Sequence, residues 1–135
     1  MKSKLFVIGK PIKHSRSPTI HNFWIEKYSL NARYNKLEVD KTEIKDLIQK
    51  VRDGKIKGLN ITIPYKKIMI DFVDEVEESV IRSNAINTVY RVNDKIIGAN
   101  TDGIGFISSL KTDLNFKINS NTNVMCIGAG GAAYG

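Results

Sequence analysis

Lys66 is the side chain in this sequence best placed to move a proton. It follows a short apolar run in Asn60-Ile-Thr-Ile-Pro-Tyr-Lys-Lys67, so Asn60, Thr62 and Lys66 flank the end of an expected buried strand. In open α/β sheets ligands bind beyond the carboxyl ends of strands. A lysine there can donate a proton to an oxygen that gains negative charge. Lys67 reads as a solvated residue at a helix start.

Three other loops concentrate polar groups. Gly9-Lys-Pro-Ile-Lys-His-Ser-Arg-Ser-Pro18 carries two hydroxyls, Ser15 and Ser17, beside an expected helix N-terminus. Hydroxyls and free backbone N–H groups in that position suit a carboxylate or a phosphate. The plain alternative makes Ser17 a helix cap and Ser15 a surface residue. Ser83-Asn-Ala-Ile-Asn-Thr88 and Gly98-Ala-Asn-Thr-Asp-Gly103 add Asn87 and Asp102. Asn and Asp near turns usually serve the backbone, so Asn87 could close a turn and Asp102 could cap a helix. His14 and His21 are seven apart with no cysteine or acidic residue at ligand spacing, so no metal site is expected.

The elements that must position these groups are legible in outline. Lys4 to Gly9 reads as a strand. Ser17-Pro18 opens a helix, with Ser as a cap and Pro tolerated in the first turn. Ile20, Phe23, Trp24 and Tyr28 follow at helical spacing, which predicts a core-facing stripe. A strand runs from Arg33 to Val39. Asp40 and Glu43 resemble a capping box, and Ile44, Leu47, Ile48 and Val51 form an amphipathic helix ended by Asp53-Gly54. Ile56 to Ile63 is a strand, followed by short helices at 65–72 and 75–82. Asn87 to Val92 and Lys95 to Ala99 form a hairpin turned at Asn93-Asp94. The order β-α-β-α-β-α-β-β predicts an α/β fold with a mixed sheet, parallel first and antiparallel at its end. Residues 103–112 read as a linking helix, and 114–123 as a polar linker.

Bulk properties narrow the function classes. The 135 residues suit one domain with little left over. Net charge is +7, from 21 basic and 14 acidic residues. The lysines are scattered and no basic helix face interleaves with aromatics, so a nucleic-acid binder is not expected. Attraction of anionic small molecules is the weaker reading of that charge. No apolar run approaches the roughly 18 residues of a membrane span, and the N-terminus is too briefly apolar for a signal peptide. Cys126 is the only cysteine. Its place in an apolar run predicts a buried thiol, and a reducing cytoplasm fits.

The last residues read as a strand, Asn123 to Ile127, entering a glycine-rich turn. Gly128, Gly130 and Ala133 fit G-x-G-x-x-[GA], the opening of a dinucleotide-binding unit; an Ala/Gly-rich tail is the plain alternative. On the first reading a cofactor domain begins here without its crossover helix. The chain alone is then expected to be inactive. The unpaired apolar strand is expected to fold back on the rest of the chain or to pair across a dimer.

Together these segments resemble shikimate dehydrogenase. The resemblance rests on Gly9-x-Pro11-Ile12-x-His14-Ser15-x-Ser17-Pro18-x-x-His21-Asn22, Asn60-Ile-Thr62-Ile-Pro64-Tyr-Lys66, Ala85-Ile-Asn87-Thr88, Asn100-Thr101-Asp102-Gly103 and the Gly128-Ala-Gly-Gly-Ala-Ala turn. It covers essentially the whole chain, but only about the first half of a family member. It implies reduction of 3-dehydroshikimate to shikimate with NADPH, on the way to chorismate and the aromatic amino acids. It implies a three-layer substrate-binding domain with a mixed, mostly parallel sheet at 1–102, a linker at 103–122 and the truncated start of a Rossmann domain at 123–135. By position, Ser15 and Ser17 would hold the substrate carboxylate, and Asn60, Thr62, Asn87 and Asp102 its hydroxyls. Lys66 would be the acid/base, paired with Asp102. Gly128, Ala129, Gly130, Gly131 and Ala132 would belong to an incomplete NADP site. Where the family usually has glycine before Ala85, this chain has Asn84, the next most tolerant residue of a left-handed backbone. Two alternatives stay open: a non-catalytic module that binds polyhydroxy acids, and a dehydrogenase of quinate or a related hydroxy acid.

Overall fold

The computed structural model describes residues 2–128. Its elements are β1 (Ser3–Gly9), α1 (Ser17–Lys27), β2 (Ala32–Glu38), α2 (Ile44–Arg52), β3 (Gly58–Ile61), β4 (Glu75–Val76), α3 (Glu78–Ser83), β5 (Thr88–Val92), β6 (Lys95–Ala99) and α4 (Asp102–Thr112). Short 3-10 turns cover Lys41–Glu43 and Ile68–Phe72. One six-stranded sheet runs β2-β1-β3-β5-β6-β4. Its β1–β2, β1–β3 and β4–β6 pairs are parallel, and β5 is antiparallel to both β3 and β6. This is the expected mixed, mostly parallel α/β sheet. Among the described residues no helix is long and apolar enough to cross a membrane.

Alternation along the strands sends residues to two faces. Ile8, Leu59, Ile61, Val89 and Ile96 face the larger core, which α2 fills with Ile44, Leu47, Ile48 and Val51. All four helix residues are buried, as their spacing predicts. The opposite face carries a small cluster of Val7, Ile12 and Tyr34, with Leu5 and Ile25 against it, under α1.

Helix α1 corrects the expected core stripe. Ile20, Phe23, Trp24 and Tyr28 are exposed. The inward side is His21, Asn22 and Ile25. Tyr34 lies on β2, an outer strand of the sheet, and both its backbone groups are bonded by the Asn22 side chain. The Asn22 amide donates to the Tyr34 carbonyl at 2.8 Å, and its Oδ1 accepts the Tyr34 N–H at 3.0 Å. The His21 ring stacks on Tyr34 at 4.1 Å. This polar clasp fixes the helix's rotation and leaves the apolar stripe outside. Ser17 is not the cap either: Arg16 precedes the helix, and the Ser17 N–H donates to Ser15 Oγ at 3.3 Å.

Three further expectations are corrected. The helix expected at 75–82 begins instead as β4, a two-residue strand parallel to β6, and the helix proper covers Glu78–Ser83. The strand expected at 123–127 does not form, and Val124, Met125 and Ile127 are 82%, 85% and 93% exposed. Among the described residues no strand pairs with this segment, and its described part does not pack on the domain. Cys126 lies in it and is exposed, not buried. Asn84 takes the left-handed conformation at φ +49°, as expected for a stand-in for glycine.

Arg52 at the end of α2 ties the sheet's far edge down. Its guanidinium grips Asp74 through two bonds, of 2.8 and 2.9 Å, and Asp74 also accepts the Ile96 N–H at 2.7 Å. The Arg52 hydrogen bond, and then that of Ile96, lower the Asp74 carboxyl to about 2. An unfolded aspartate titrates near about 3.9. The depressed folded value means that this carboxylate's support is complete above that pH and is lost as pH falls toward 2. Between about pH 4 and 2, melting temperature should therefore fall less steeply in Asp74→Asn than in the wild type. Equal slopes in thermal melts would remove Asp74 from the acid response.

Candidate active site

Because β1, β3 and β6 run in one direction, their carboxyl ends meet at one end of the sheet. The antiparallel β5 starts there, with Thr88 beside both Asn60 and Ala99. The loops after β1, β3 and β6 and before β5 are therefore neighbours, and they are the four polar segments of the sequence.

Lys66 and Asp102 meet at the centre. Lys66 Nζ lies 2.5 Å from Asp102 Oδ2, with side chains 19% and 34% exposed. The pair is reachable from solvent yet partly shielded, so its field is stronger than in bulk water. The second carboxylate oxygen accepts from Asn87 Nδ2 at 2.7 Å. The other Nδ2 hydrogen goes to Thr101 Oγ1 at 2.8 Å, while Asn87 Oδ1 accepts from Thr88 Oγ1 at 2.7 Å and from the Thr101 N–H at 3.1 Å. Asn87 is 8% exposed. It holds Asp102 in place rather than merely closing a turn. Asp102 is the first residue of α4, and Thr101 precedes it, so Asp102 is not the cap.

Asn60 adjoins this cluster through its amide, which donates to the Asn87 carbonyl and to Thr88 Oγ1, each at 3.2 Å. Its Oδ1 accepts the Tyr34 hydroxyl at 2.6 Å. Burial pushes the Tyr34 phenol well above its ordinary value, so it stays a donor and fixes which way the Asn60 amide points. Thr62 sits where β3 ends, its N–H bonded to the Ile8 carbonyl at 2.9 Å. Gly9 makes that approach possible. A Cβ there would lie 2.6 Å from Thr62 Cγ2 and 2.8 Å from the Ile63 carbonyl oxygen.

Ser15 lies in the loop after β1 and Ser17 is the first residue of α1. Ser15 faces a cavity of about 360 Å³ whose other walls are Lys13, His14, Arg16, Thr19 and Lys36. Three cationic side chains round a hydroxyl suit a small anion. His21 uses Nδ1 to donate to the Ser17 carbonyl at 2.9 Å and is structural. Among the described residues no group of His, Cys, Asp and Glu could hold a metal ion. Of the expected cofactor residues, Gly128 has φ +108° and no neighbour within 4 Å of a built Cβ. Ala129, Gly130, Gly131 and Ala132, with Ala133, lie outside the described residues.

A family model for the shikimate dehydrogenase substrate-binding domain matches residues 7–89. The chain belongs to that family. Like this chain, the shikimate dehydrogenase (NADP(+)) of Pelagibacter ubique carries the matching half: it is 52% identical over 132 residues, which are 97% of this chain and 49% of that protein. A crystal structure of the shikimate 5-dehydrogenase of Thermus thermophilus in complex with shikimate superposes with a TM-score of 0.88 at 31% identity, over 98% of this chain and 49% of that one. The same enzyme with NADP(H) and shikimate gives 0.77 at 32% identity, over 82% and 42%. The chain thus spans about half the length of the relatives that it matches.

Four residues of the site escaped the sequence reading of individual roles: Tyr34, Ser83, Asn100 and Thr101. Asn100 and Thr101 stood within a quoted motif, and that proximity to Asp102 was the available signal. Ser83 likewise opened one of the four polar segments, and nothing local marked Tyr34.

Proposed function

We propose that this chain is the substrate-binding half of an NADP-dependent shikimate dehydrogenase, which reduces 3-dehydroshikimate to shikimate in the cytoplasm. Residues 1–102 would form the substrate domain, and 103–122 would lead to the cofactor domain. The observation that carries the reading is the Lys66–Asp102 bond of 2.5 Å at the ligand-binding end of the sheet.

Hydride delivery to a ketone builds negative charge on its oxygen, which then needs a donor within hydrogen-bond reach. The Lys66 ammonium is that donor, and Asp102, itself held by Asn87, orients it. Asp102, Asn60 and Thr62 would face ring hydroxyls, and Asn87, whose amide is engaged by Asp102, Thr101 and Thr88, would take up a hydroxyl by exchanging one of those bonds. Ser15 and Ser17 would hold the carboxylate; Ser15 lines a cavity that Lys13, Arg16 and Lys36 make positive, and Ser17 lies two residues further on, at the start of α1. NADPH, when bound, would supply the hydride.

The test is titration of shikimate into the 135-residue chain, followed by backbone NMR, with Lys66→Met as control. Saturable shifts at Ser15, Ser17, Thr62, Asn87 and Asp102 are expected, and they should weaken in the control. A folded chain that shows none would defeat the reading. A parallel quinate titration that gave the tighter constant would replace shikimate with quinate as the substrate.

A further inference from the structure

Asn100 is 5% exposed, and its backbone N–H and both polar atoms of its side chain are hydrogen-bonded. Its backbone N–H donates to Ser79 Oγ at 3.0 Å. Its Nδ2 donates to Ser83 Oγ at 3.0 Å and to the Ala85 carbonyl at 2.9 Å. Its Oδ1 accepts the Asp102 N–H at 2.9 Å. The Ala85 carbonyl belongs to the same peptide unit as the Ile86 N–H, which donates to the Lys66 carbonyl at 2.8 Å. A peptide unit is planar and stiff.

Two rigid amides in series, the Asn100 side chain and the 85–86 peptide, therefore join the Asp102 backbone to the Lys66 backbone. The Lys66 Nζ–Asp102 Oδ2 contact closes the ring from the other side. Ala85 and Ile86 are fully buried, so the strut has little room to shift.

We propose that Asn100 is a positioning residue that sets the separation of Lys66 and Asp102 through the 85–86 peptide. The proposal rests on the reading of that pair given above. A buried asparagine that only satisfied its neighbours would affect stability and leave the ion pair as it is. A strut affects the pair in molecules that remain folded. Misplacement by about 1 Å can cost on the order of 10²-fold in rate, so a loosened pair is detectable.

The experiment follows the Lys66 ammonium by nitrogen-15 NMR in the full chain, with its signal assigned by its loss in Lys66→Met. Two variants are compared with the wild type: Asn100→Ala and Asn100→Ser. Serine keeps an oxygen that can accept the Asp102 N–H in a local turn, but it has no arm that reaches Ala85. It removes the strut with less damage, and it decides the matter if the alanine variant does not fold. Dispersed amide spectra certify the fold. In the wild type the Lys66 ammonium should exchange its hydrogens slowly. In folded variants it should exchange at least about tenfold faster, with shikimate affinity lowered to a similar extent. A folded variant whose Lys66 ammonium is protected as in the wild type overturns the proposal. A wild-type chain that binds no shikimate counts against the proposed function alone, because the ammonium signal still judges Asn100.

Discussion

Lys66→Met, in this chain joined to the second half of its Pelagibacter ubique relative, is expected to lower kcat for 3-dehydroshikimate by about 10²-fold or more. Methionine is similar in length and apolar, so the cleft keeps its shape and loses its proton donor. Stability cannot account for a loss of that size. The pair is partly exposed, at 19% and 34%, and pairs of this kind contribute at most about 1 kcal/mol. Asp102 also keeps its bond from Asn87 when Lys66 is gone. The melting temperature should hence move little while the rate collapses. Steady-state kinetics beside thermal melts separate the two, and a rate within a few-fold of the parent would take Lys66 out of the mechanism.

Gly9→Ala is the second large effect, and it acts through shape. The added Cβ would meet Thr62 Cγ2 at 2.6 Å and the Ile63 carbonyl oxygen at 2.8 Å. The second of these is backbone and cannot turn aside. Moving it also strains the bond from the Lys10 N–H to the Ile63 carbonyl, at 3.0 Å. Overpacking of this kind costs about 1–3 kcal/mol, or roughly 4 °C of melting temperature per kcal/mol. Shikimate affinity should fall with it, because Thr62 is the residue displaced. Gly105→Ala is the matched control: it lies on exposed α4, with nothing within 4 Å of its built Cβ. There alanine should be neutral or stabilise by up to about 1 kcal/mol. Equal melting curves for Gly9→Ala and the wild type would show that β1 and β3 yield at that crossing.

The parts of this fold that were legible in the sequence are those set by local rules. The α2 stripe at 44, 47, 48 and 51 is buried as its period requires. The turn at Asn93 has φ +53°, and Asn84 fills a left-handed position. The four polar loops gather at one end because strand direction places them there. What was not legible depends on neighbours distant in sequence. Strand β4 is two residues long, and its pairing with Ile97 and Gly98 creates it. The rotation of α1 is decided by what Asn22 reaches on β2, 12 residues away, and hydrophobic spacing carries no trace of that. The apolar run 123–127 has strand composition, and among the described residues no strand pairs with it. Within the site, Lys66, Asp102, Asn87 and Asn60 were singled out by position. Tyr34, 26 residues from the Asn60 that it bonds, could be recognised only after folding.

The grip of Asn22 on Tyr34 has a consequence for how these molecules behave in a crowd. An outer strand offers a row of donors and acceptors onto which any extended chain can zip, the usual start of runaway sheet growth. On β2 the middle of that row is already occupied, by a side chain of the same molecule. A stranger arriving at this edge would find the seven-residue strand interrupted near its centre, with too few consecutive bonds on either side to hold on.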